Sequence, residues 1–462
     1  MIIINMLNKK KLLFFWIITI LIAIIFTFKN HQKIQSLKNK LKNKISFNKN
    51  FNQDKIVNSA YYSLNLKKIV IPVRSKYGGI ESIDNKIYYV SGDSEFFQLK
   101  KNGNKKNEYH FIPLSLEKIN NNKDEFIKKN ESLLGRNKAW AFFGIKDLLI
   151  DEFKSFENKV LLISSLDFNN KDDCYKMSLY LSEIINEDKL EISKWEKIFS
   201  SQKCLSINLT KKPKFAAASA GGRIAKLNDD NILLSLGDFY ADGVNGPMLS
   251  QDLNNDYGKI IKINIKDKKY EIFSYGHRNP QGLYIDENEN IFSTEHGPRG
   301  GDELNLIEQD NNYGWPYATF GTSYKSKNAY QGETITSATK NKNKRVWPID
   351  KTNNTHDNYT KPIFSWGNTF GVSNLIIYEN RYFDKWNKNI IVSSLAAKKL
   401  VRFVYDYEDR SIHYLENIHI GQRIRDIIQL KNGNIVLLTD TKEFKKINKN
   451  STEIIVISNS EN

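Results

Sequence analysis

The chain has 462 residues, of which 40% are hydrophobic and 26% are charged, a balance that excludes an intrinsically disordered protein. Its formal net charge is +17, but the lysines are spread along the whole chain beside abundant Asn and Ile. No basic stripe or nucleic-acid-reading motif stands out, so composition accounts for the charge and no nucleic-acid partner is predicted. Aromatic residues make up 12% of the chain and favour sheet, because they suit a pleated, half-buried surface.

An uncharged apolar run near the N-terminus predicts a membrane anchor. Residues 12–28, LLFFWIITILIAIIFTF, follow three consecutive lysines. At ~1.5 Å per residue a helix of this length spans roughly 26 Å, enough to cross a thin bilayer. A cleaved signal peptide is the alternative, but its small-residue cleavage pattern is missing. We therefore predict a transmembrane signal-anchor over residues 1–30 and a Lys/Asn-rich stalk over residues 31–62.

Two features bear on the compartment of the domain that follows. Lysines are more numerous after the apolar run than before it, and the positive-inside rule read literally keeps the domain cytoplasmic. Cys174 and Cys204 lie thirty residues apart and form a disulfide if the domain is exported, or stay as buried thiols if it is not. Both alternatives are open at this level.

A recurring pattern from about residue 68 onward predicts a β-propeller. An apolar strand leads to a turn of Asp, Asn or Gly, and a second strand ends on a small or acidic residue. The pattern occurs at residues 80–93, 224–238, 283–297 and 427–440, with a longer variant at 375–395. Such turns are hairpin signals, and each hairpin is expected to form the inner half of a blade. A sandwich or a long barrel is the alternative arrangement, and the domain is predicted to span residues 63–462.

The densest group of functional residue types lies at residues 275–316, YGHRNPQGLYIDENENIFSTEHGPRGGDELNLIEQDNNYGWP. Its elements GHRNPQGL, STEHGPRGGDELN and NYGWP resemble the soluble PQQ-dependent glucose/sorbosone (aldose sugar) dehydrogenases. Weaker similarity at GGRIAKLNDDNILLSLGD and GQRIRDII extends the resemblance over roughly residues 221–440. It implies an all-β fold, a six-bladed β-propeller, with PQQ and calcium over the central channel. It also favours a domain in the periplasm or otherwise outside the cytoplasm.

The resemblance assigns roles to seven residues. Arg278 and Asn279 match the pair that contacts the quinone, and Arg278 is also predicted to be catalytic. Gly297 and Pro298 match residues whose backbone carbonyls bind calcium. Arg423 and Arg425 match the arginines that hold the cofactor carboxylates. Asp238 matches an acid beside the catalytic base and is predicted to be catalytic. These assignments suit the chemistry, because guanidinium groups pair well with carboxylates and calcium accepts carbonyl oxygens.

The sequence departs from the family pattern at two positions. The family's general base is a histidine shortly before Gly-Arg, but here the segment reads Ser219-Ala220-Gly221-Gly222-Arg223. The family often has a cofactor-contacting lysine after Ser-Leu, whereas this chain has Ala396. Two functions follow as expectations. One is a membrane-anchored PQQ-dependent sugar dehydrogenase with a modified base. The other is a degenerate propeller that binds sugar, cofactor or a protein partner without turnover.

Overall fold

The computed structural model describes residues 54–71, 77–101, 109–134, 142–210, 216–243, 245–321, 356–440 and 452–461. Regular structure in these residues is almost entirely β, with six antiparallel sheets and an α-helix, α1 (Lys123–Leu134). The strands form because apolar and β-branched residues dominate them and both faces of most strands are covered. In Ile435–Thr439, IVLLT, every residue is buried.

Four of the six sheets are four-stranded and use consecutive strands, as blades of a propeller do. Blade 1 contains β3 (Gly78–Ile83), β4 (Lys86–Ser91), β5 (Phe96–Lys101) and β6 (Tyr109–Leu114). Blade 3 contains β13 (Gly221–Lys226), β14 (Asn231–Leu236), β15 (Lys259–Asn264) and β16 (Tyr270–Tyr275). Blade 4 contains β17 (Pro280–Ile285), β18 (Ile291–Glu295), β19 (Asp302–Ile307) and β20 (Phe364–Trp366). Blade 5 contains β21 (Val372–Ile377), β22 (Ile390–Ser394), β23 (Lys399–Asp406) and β24 (Ser411–His419).

The other two blades are more elaborate. Blade 2 contains β7 (Ile145–Asp151), β8 (Val160–Asn169), β9 (Cys174–Asn186), β10 (Glu191–Ile192), β11 (Glu196–Ser200) and β12 (Leu205–Ser206). Blade 6 contains β25 (Ile424–Gln429), β26 (Ile435–Thr439), β27 (Glu453–Asn459), β2 (Ser63–Val70) and β1 (Asp54–Asn58). In blade 6 the last strand of the chain pairs antiparallel with β2, so the beginning and the end of the domain close the ring together.

The innermost strands of the six blades are neighbours in a closed circle, in the order β3, β7, β13, β17, β21 and β25. This confirms the six-bladed propeller. Each of the five patterned segments in the sequence is the first hairpin of a different blade, from β3–β4 to β25–β26. Because the inner strands all run the same way along the axis, their first residues meet at one mouth of the channel. Their last residues meet at the other.

Three further predictions concern the disulfide, the membrane anchor and the start of the propeller domain. Cys174 and Cys204 form a disulfide with their Cα atoms 5.5 Å apart. The predicted anchor, residues 12–28, lies outside the described residues, and no helix within the described part of the chain could cross a membrane. Strand β1 lies inside the range predicted as stalk, so the propeller sheet starts before residue 63.

Candidate functional site

The site is a cavity of about 330 Å³ at the mouth where the innermost strands begin. The six strand starts bring together residues that are far apart in the sequence. Six of the seven residues to which the resemblance assigns a role line this cavity, together with the residue that replaces the family's histidine: Ser219, Arg278, Asn279, Gly297, Pro298, Arg423 and Arg425. We refer to it below as the site cavity.

The Arg278–Asn279 turn before β17 is held by a buried carboxylate. Glu295, at the end of β18, accepts hydrogen bonds from the backbone N–H groups of Arg278 and Asn279, the latter at 3.3 Å. Its other oxygen pairs with Nδ1 of His277 at 3.0 Å, and that ring is fully buried. Asn279 Oδ1 in turn accepts the N–H of Gly221 at 3.2 Å, which ties blade 4 to blade 3. The turn is therefore preorganised by contacts within the protein.

The Arg278 side chain lies over two aromatic rings and against backbone carbonyls. Its guanidinium carbon is 5.7 Å from the Tyr240 ring centroid and 5.2 Å from that of Trp315. Nη1 donates to the carbonyl oxygens of His296 at 3.0 Å and Gly297 at 2.9 Å. A carbonyl predicted to bind calcium therefore holds a guanidinium in this structure.

Asp302 fixes the loop that carries Gly297 and Pro298. Its Oδ1 accepts the N–H of Gly297 at 3.0 Å, and its Oδ2 accepts the N–H groups of Phe370 at 2.8 Å and Gly371 at 2.5 Å. Both oxygens are thus directed at backbone donors. The two predicted carbonyl ligands are fewer than the six to eight oxygens that calcium takes, so a bound calcium would need further oxygen ligands.

Arg423 and Arg425 begin β25 with incompletely used guanidinium groups. Arg425 donates to Asp440 Oδ2 at 2.6 Å and to Gln281 Oε1 at 3.0 Å, and Arg423 donates to the Leu395 carbonyl at 3.2 Å. The Nε–H of each is buried, and no residue of the described chain accepts it. Both residues line the cavity, so their guanidinium groups border the space that a ligand would fill. A molecule with planar carboxylates fits this donor set, so the residues present fit PQQ.

Asp238 does not line the cavity. It is 1% exposed, and it accepts hydrogen bonds from the Tyr240 N–H and from Trp315 Nε1, both at 2.8 Å. Burial raises the pKa of Asp238 to about 7, while the nearby Arg278 charge opposes the rise and Asp242 adds to it. Its position suits a role in supporting Arg278 and Trp315. The prediction that it acts on substrate directly does not follow from this placement.

Ser219 lines the cavity with a left-handed backbone, φ +59°. No imidazole stands at this position, as the sequence indicated. Two other residues that carry a potential base do line the cavity, His296 and Lys146. Lys146 and Tyr77 were missed by sequence reasoning, because they precede the region of resemblance and carry no motif. Their place in the site follows only from closure of the ring.

The comparisons with known proteins agree with this arrangement. Residues 144–448 match the family described as Glucose / Sorbosone dehydrogenase. An uncharacterized protein of Synechocystis sp. is 32% identical over 243 residues, covering 48% of this chain and 53% of the relative. The aldose sugar dehydrogenase of Escherichia coli is 28% identical over 236 residues, covering 48% of this chain and 57% of the relative. The matches thus span about half the length of these curated relatives.

Solved structures show the same fold. The soluble aldose sugar dehydrogenase from Escherichia coli in its apo form superposes with a TM-score of 0.62 at 20% identity, over 86% of this chain and 99% of that one. The PQQ-bound aldose sugar dehydrogenase from Streptomyces coelicolor gives a TM-score of 0.55 at 15% identity, over 88% of this chain and 98% of that one. At these identities the likeness establishes the architecture.

Proposed function

Because residues 144–448 carry its signature, the chain belongs to the glucose/sorbosone dehydrogenase family, and we propose that it is a PQQ-dependent sugar oxidoreductase. Bound PQQ would supply a two-electron acceptor that takes a hydride from the anomeric carbon of an aldose, while the hydroxyl proton passes to a base. The observation that carries the proposal is that Arg278, Arg423 and Arg425, from two different blades, line one cavity.

Different residues of the chain would bind the cofactor and stabilise the charge that develops on it. Arg423 and Arg425 would hold carboxylates through charge-assisted hydrogen bonds. Arg278 would place a fixed positive charge beside oxygen that becomes negative as hydride arrives, and its stacking on Trp315 and Tyr240 limits its reorganisation. Asn279, locked by its bond from Gly221, would contact the quinone side of the cavity. The sugar would enter from the open end of the mouth.

Calcium is included in the proposal as an ion held by the carbonyls of Gly297 and Pro298. Support comes from the loop, which Asp302 fixes so that these residues line the cavity. Because calcium takes six to eight oxygens, its binding would also need oxygen atoms beyond these two carbonyls. Calcium would also have to compete with Arg278 for the Gly297 carbonyl oxygen.

A second candidate function is binding without turnover, and two observations favour it. Ser219 stands where the family has its base, and a hydroxyl has no comparable basicity near neutral pH. Asp238 lies behind the cavity wall with both carboxylate oxygens accepting hydrogen bonds. A propeller of this kind would bind the cofactor, a sugar or a protein partner and would lack the proton acceptor that the family has at the position of Ser219.

Location and domain layout form part of the same proposal. We infer a signal-anchor in residues 1–30 and a stalk after it from the apolar run and the Lys/Asn-rich segment. The Cys174–Cys204 disulfide supports an oxidising compartment such as the periplasm, because disulfides are rare in the cytosol.

The test uses the full chain purified in detergent. PQQ and calcium are added, binding is followed by fluorescence titration, and dye reduction is measured with a panel of aldoses, with chelator-treated protein as the control. Binding with turnover supports the oxidoreductase. Binding without turnover supports the second function. Absence of PQQ binding contradicts the quinoprotein proposal and leaves only a sugar or protein partner for the second function.

A further inference from the structure

An aromatic ring in the site cavity has two cations close to it. The Lys146 Nζ is 4.2 Å from the Tyr77 ring centroid, and the Arg425 guanidinium carbon is 4.5 Å from the same centroid. Tyr77 precedes β3, Lys146 is the second residue of β7 and Arg425 the second of β25, so three blades contribute. All three residues line the cavity. We call this group the Tyr77 cluster.

Lys146 is buried with few partners for its ammonium group. It is 5% exposed, its Nζ donates to the Phe142 carbonyl, and it forms no ion pair with any residue of the described chain. Its stem packs on Gly222, where an added Cβ would lie 2.4 Å from the Lys146 Cβ. The stem is thus fixed in position. A buried amine held this way costs free energy that an apolar side chain of similar shape would not.

The charges around Lys146 favour an anion. Burial holds the pKa of Lys146 well below its usual value, and the positive charges of Lys123 and Arg425 lower it further. Burial also raises the pKa of Tyr77, so the ring is neutral near pH 7. Asp440 is paired with Arg425 at 2.6 Å. On the blade 3 side the neighbour is Gly222, which carries no charge.

We propose that Lys146 is the third cation of a carboxylate subsite, which it forms with Arg423 and Arg425 in the site cavity. It would take the place of the lysine that the family resemblance leads one to expect at Ala396, which also lines the cavity. Lys398 and Lys399, the nearest lysines in sequence to Ala396, do not line it. The identification of the ligand as PQQ rests on the proposed function. The subsite itself requires only a molecule with closely spaced carboxylates.

This subsite predicts proton uptake. Burial lowers the pKa of Lys146 in the empty cavity, and a carboxylate that arrives beside the amine favours the ammonium form. Binding should therefore take up protons at alkaline pH and should weaken as pH rises through the range in which Lys146 titrates. A lysine with a merely structural role would show neither effect.

Isothermal titration calorimetry of the full chain with PQQ, in phosphate and in Tris at the same pH, tests the subsite. Wild-type protein should show proton uptake as a buffer-dependent enthalpy. Lys146→Met, close in shape, should lose the uptake and bind PQQ about 10- to 100-fold more weakly. Lys226→Met is the matched control, because Lys226 lies on β13 at the opposite mouth and pairs with Asp151. It should behave as wild type.

A second probe distinguishes the carboxylate subsite from the quinoprotein proposal. Pyridine-2,6-dicarboxylate carries two carboxylates and no quinone, and its binding is read as a shift in thermal unfolding. If it stabilises wild type but not Lys146→Met while PQQ does not bind, the subsite stands and the quinoprotein proposal fails. If PQQ binds both proteins equally with equal proton uptake, the subsite is overturned and the quinoprotein proposal stands. Stabilisation by neither ligand overturns both. Unchanged affinity with lost turnover in Lys146→Met assigns the amine to proton transfer and also overturns the subsite.

Discussion

The two mouths of the central channel are built from the same six strands and differ in charge. The site cavity, at the strand beginnings, has four basic residues among those that line it, namely Lys146, Arg278, Arg423 and Arg425. The pocket at the strand ends is larger, about 540 Å³, and we call it the acidic pocket. Its carboxylates near the strand ends are Glu81, Asp151, Asp286, Glu287 and Glu379.

A buried ion cluster lies between the two mouths. The Arg223 Nη1 is 2.6 Å from Asp147 and 3.0 Å from Asp426, and both acids border the acidic pocket. Its other nitrogens donate to the carbonyls of Gln281 and Arg425, which border the site cavity. Arg223 therefore joins four blades at the centre of the ring and lies across the channel.

The comparison teaches that the proposed cofactor site is the smaller of the two cavities and is set apart by its lining. The smaller mouth contains buried guanidinium groups with unaccepted N–H groups and a lysine held in place by a glycine contact. In the larger mouth, Asp426 is satisfied by Arg223, Asn374 and the Ile80 N–H. The charge of the lining distinguishes the two mouths, and only the mouth at the strand beginnings offers several cations to an anionic ligand.

The largest expected effect concerns the missing base in the site cavity. Ser219→His should raise the rate of sugar oxidation about 10²- to 10⁴-fold, because a positioned imidazole accepts the hydroxyl proton near neutral pH. The left-handed backbone at φ +59° suits this change, since histidine is among the residues enriched there. Steady-state dye reduction gives the rate. Ser219→Asn is the control, and an unchanged rate in a PQQ-binding Ser219→His protein would show that more than the base is lost.

Removal of Arg223 from the ion cluster between the mouths should strongly lower the free energy of unfolding. Arg223→Met leaves Asp147 and Asp426 buried without their cation, and it should lower the free energy of unfolding by about 3–5 kcal/mol. Arg410→Met is the matched control, because Arg410 pairs with Glu308 on the surface and its loss should leave stability nearly unchanged. Denaturant unfolding followed by tryptophan fluorescence measures both. Equal losses in the two variants would contradict the central role of the cluster.

A smaller effect is expected at the acidic pocket. Burial, together with Asp426, Asp147 and Asp151, raises the pKa of Glu81 to about 8. Between pH 4.5 and 8 the folded protein thus keeps a proton that the unfolded chain releases, so stability from this group falls as pH rises. Glu81→Gln removes this term and should gain thermal stability relative to wild type between pH 5 and 8. Glu408→Gln, on the surface, should show no such trend. A difference in thermal stability between Glu81→Gln and wild type that does not change with pH would contradict the raised pKa of Glu81.

Much of the architecture could be predicted from local sequence, and part of the site could not. Hairpin turns and alternating apolar strands identify the inner halves of five blades, because those signals are short-range. Arg278 and Gly297 flank the β17–β18 hairpin within residues 275–316, so the same short-range signals place them near each other. Lys146 and Tyr77 join Arg425 only when blades 1, 2 and 6 close into a ring, which no local pattern specifies. The bond from Arg278 to the Gly297 carbonyl and the burial of Asp238 likewise depend on packing between elements.

The most direct measurement is a PQQ titration of three proteins, wild type, Arg425→Met at the site cavity and Glu379→Gln at the acidic pocket. Loss of the Arg425 guanidinium should weaken binding about 10- to 100-fold, because it removes charge-assisted hydrogen bonds to a carboxylate. Glu379→Gln should bind as wild type. Equal affinity of Arg425→Met and wild type, or a change confined to Glu379→Gln, would contradict the claim that the mouth at the strand beginnings is the cofactor site.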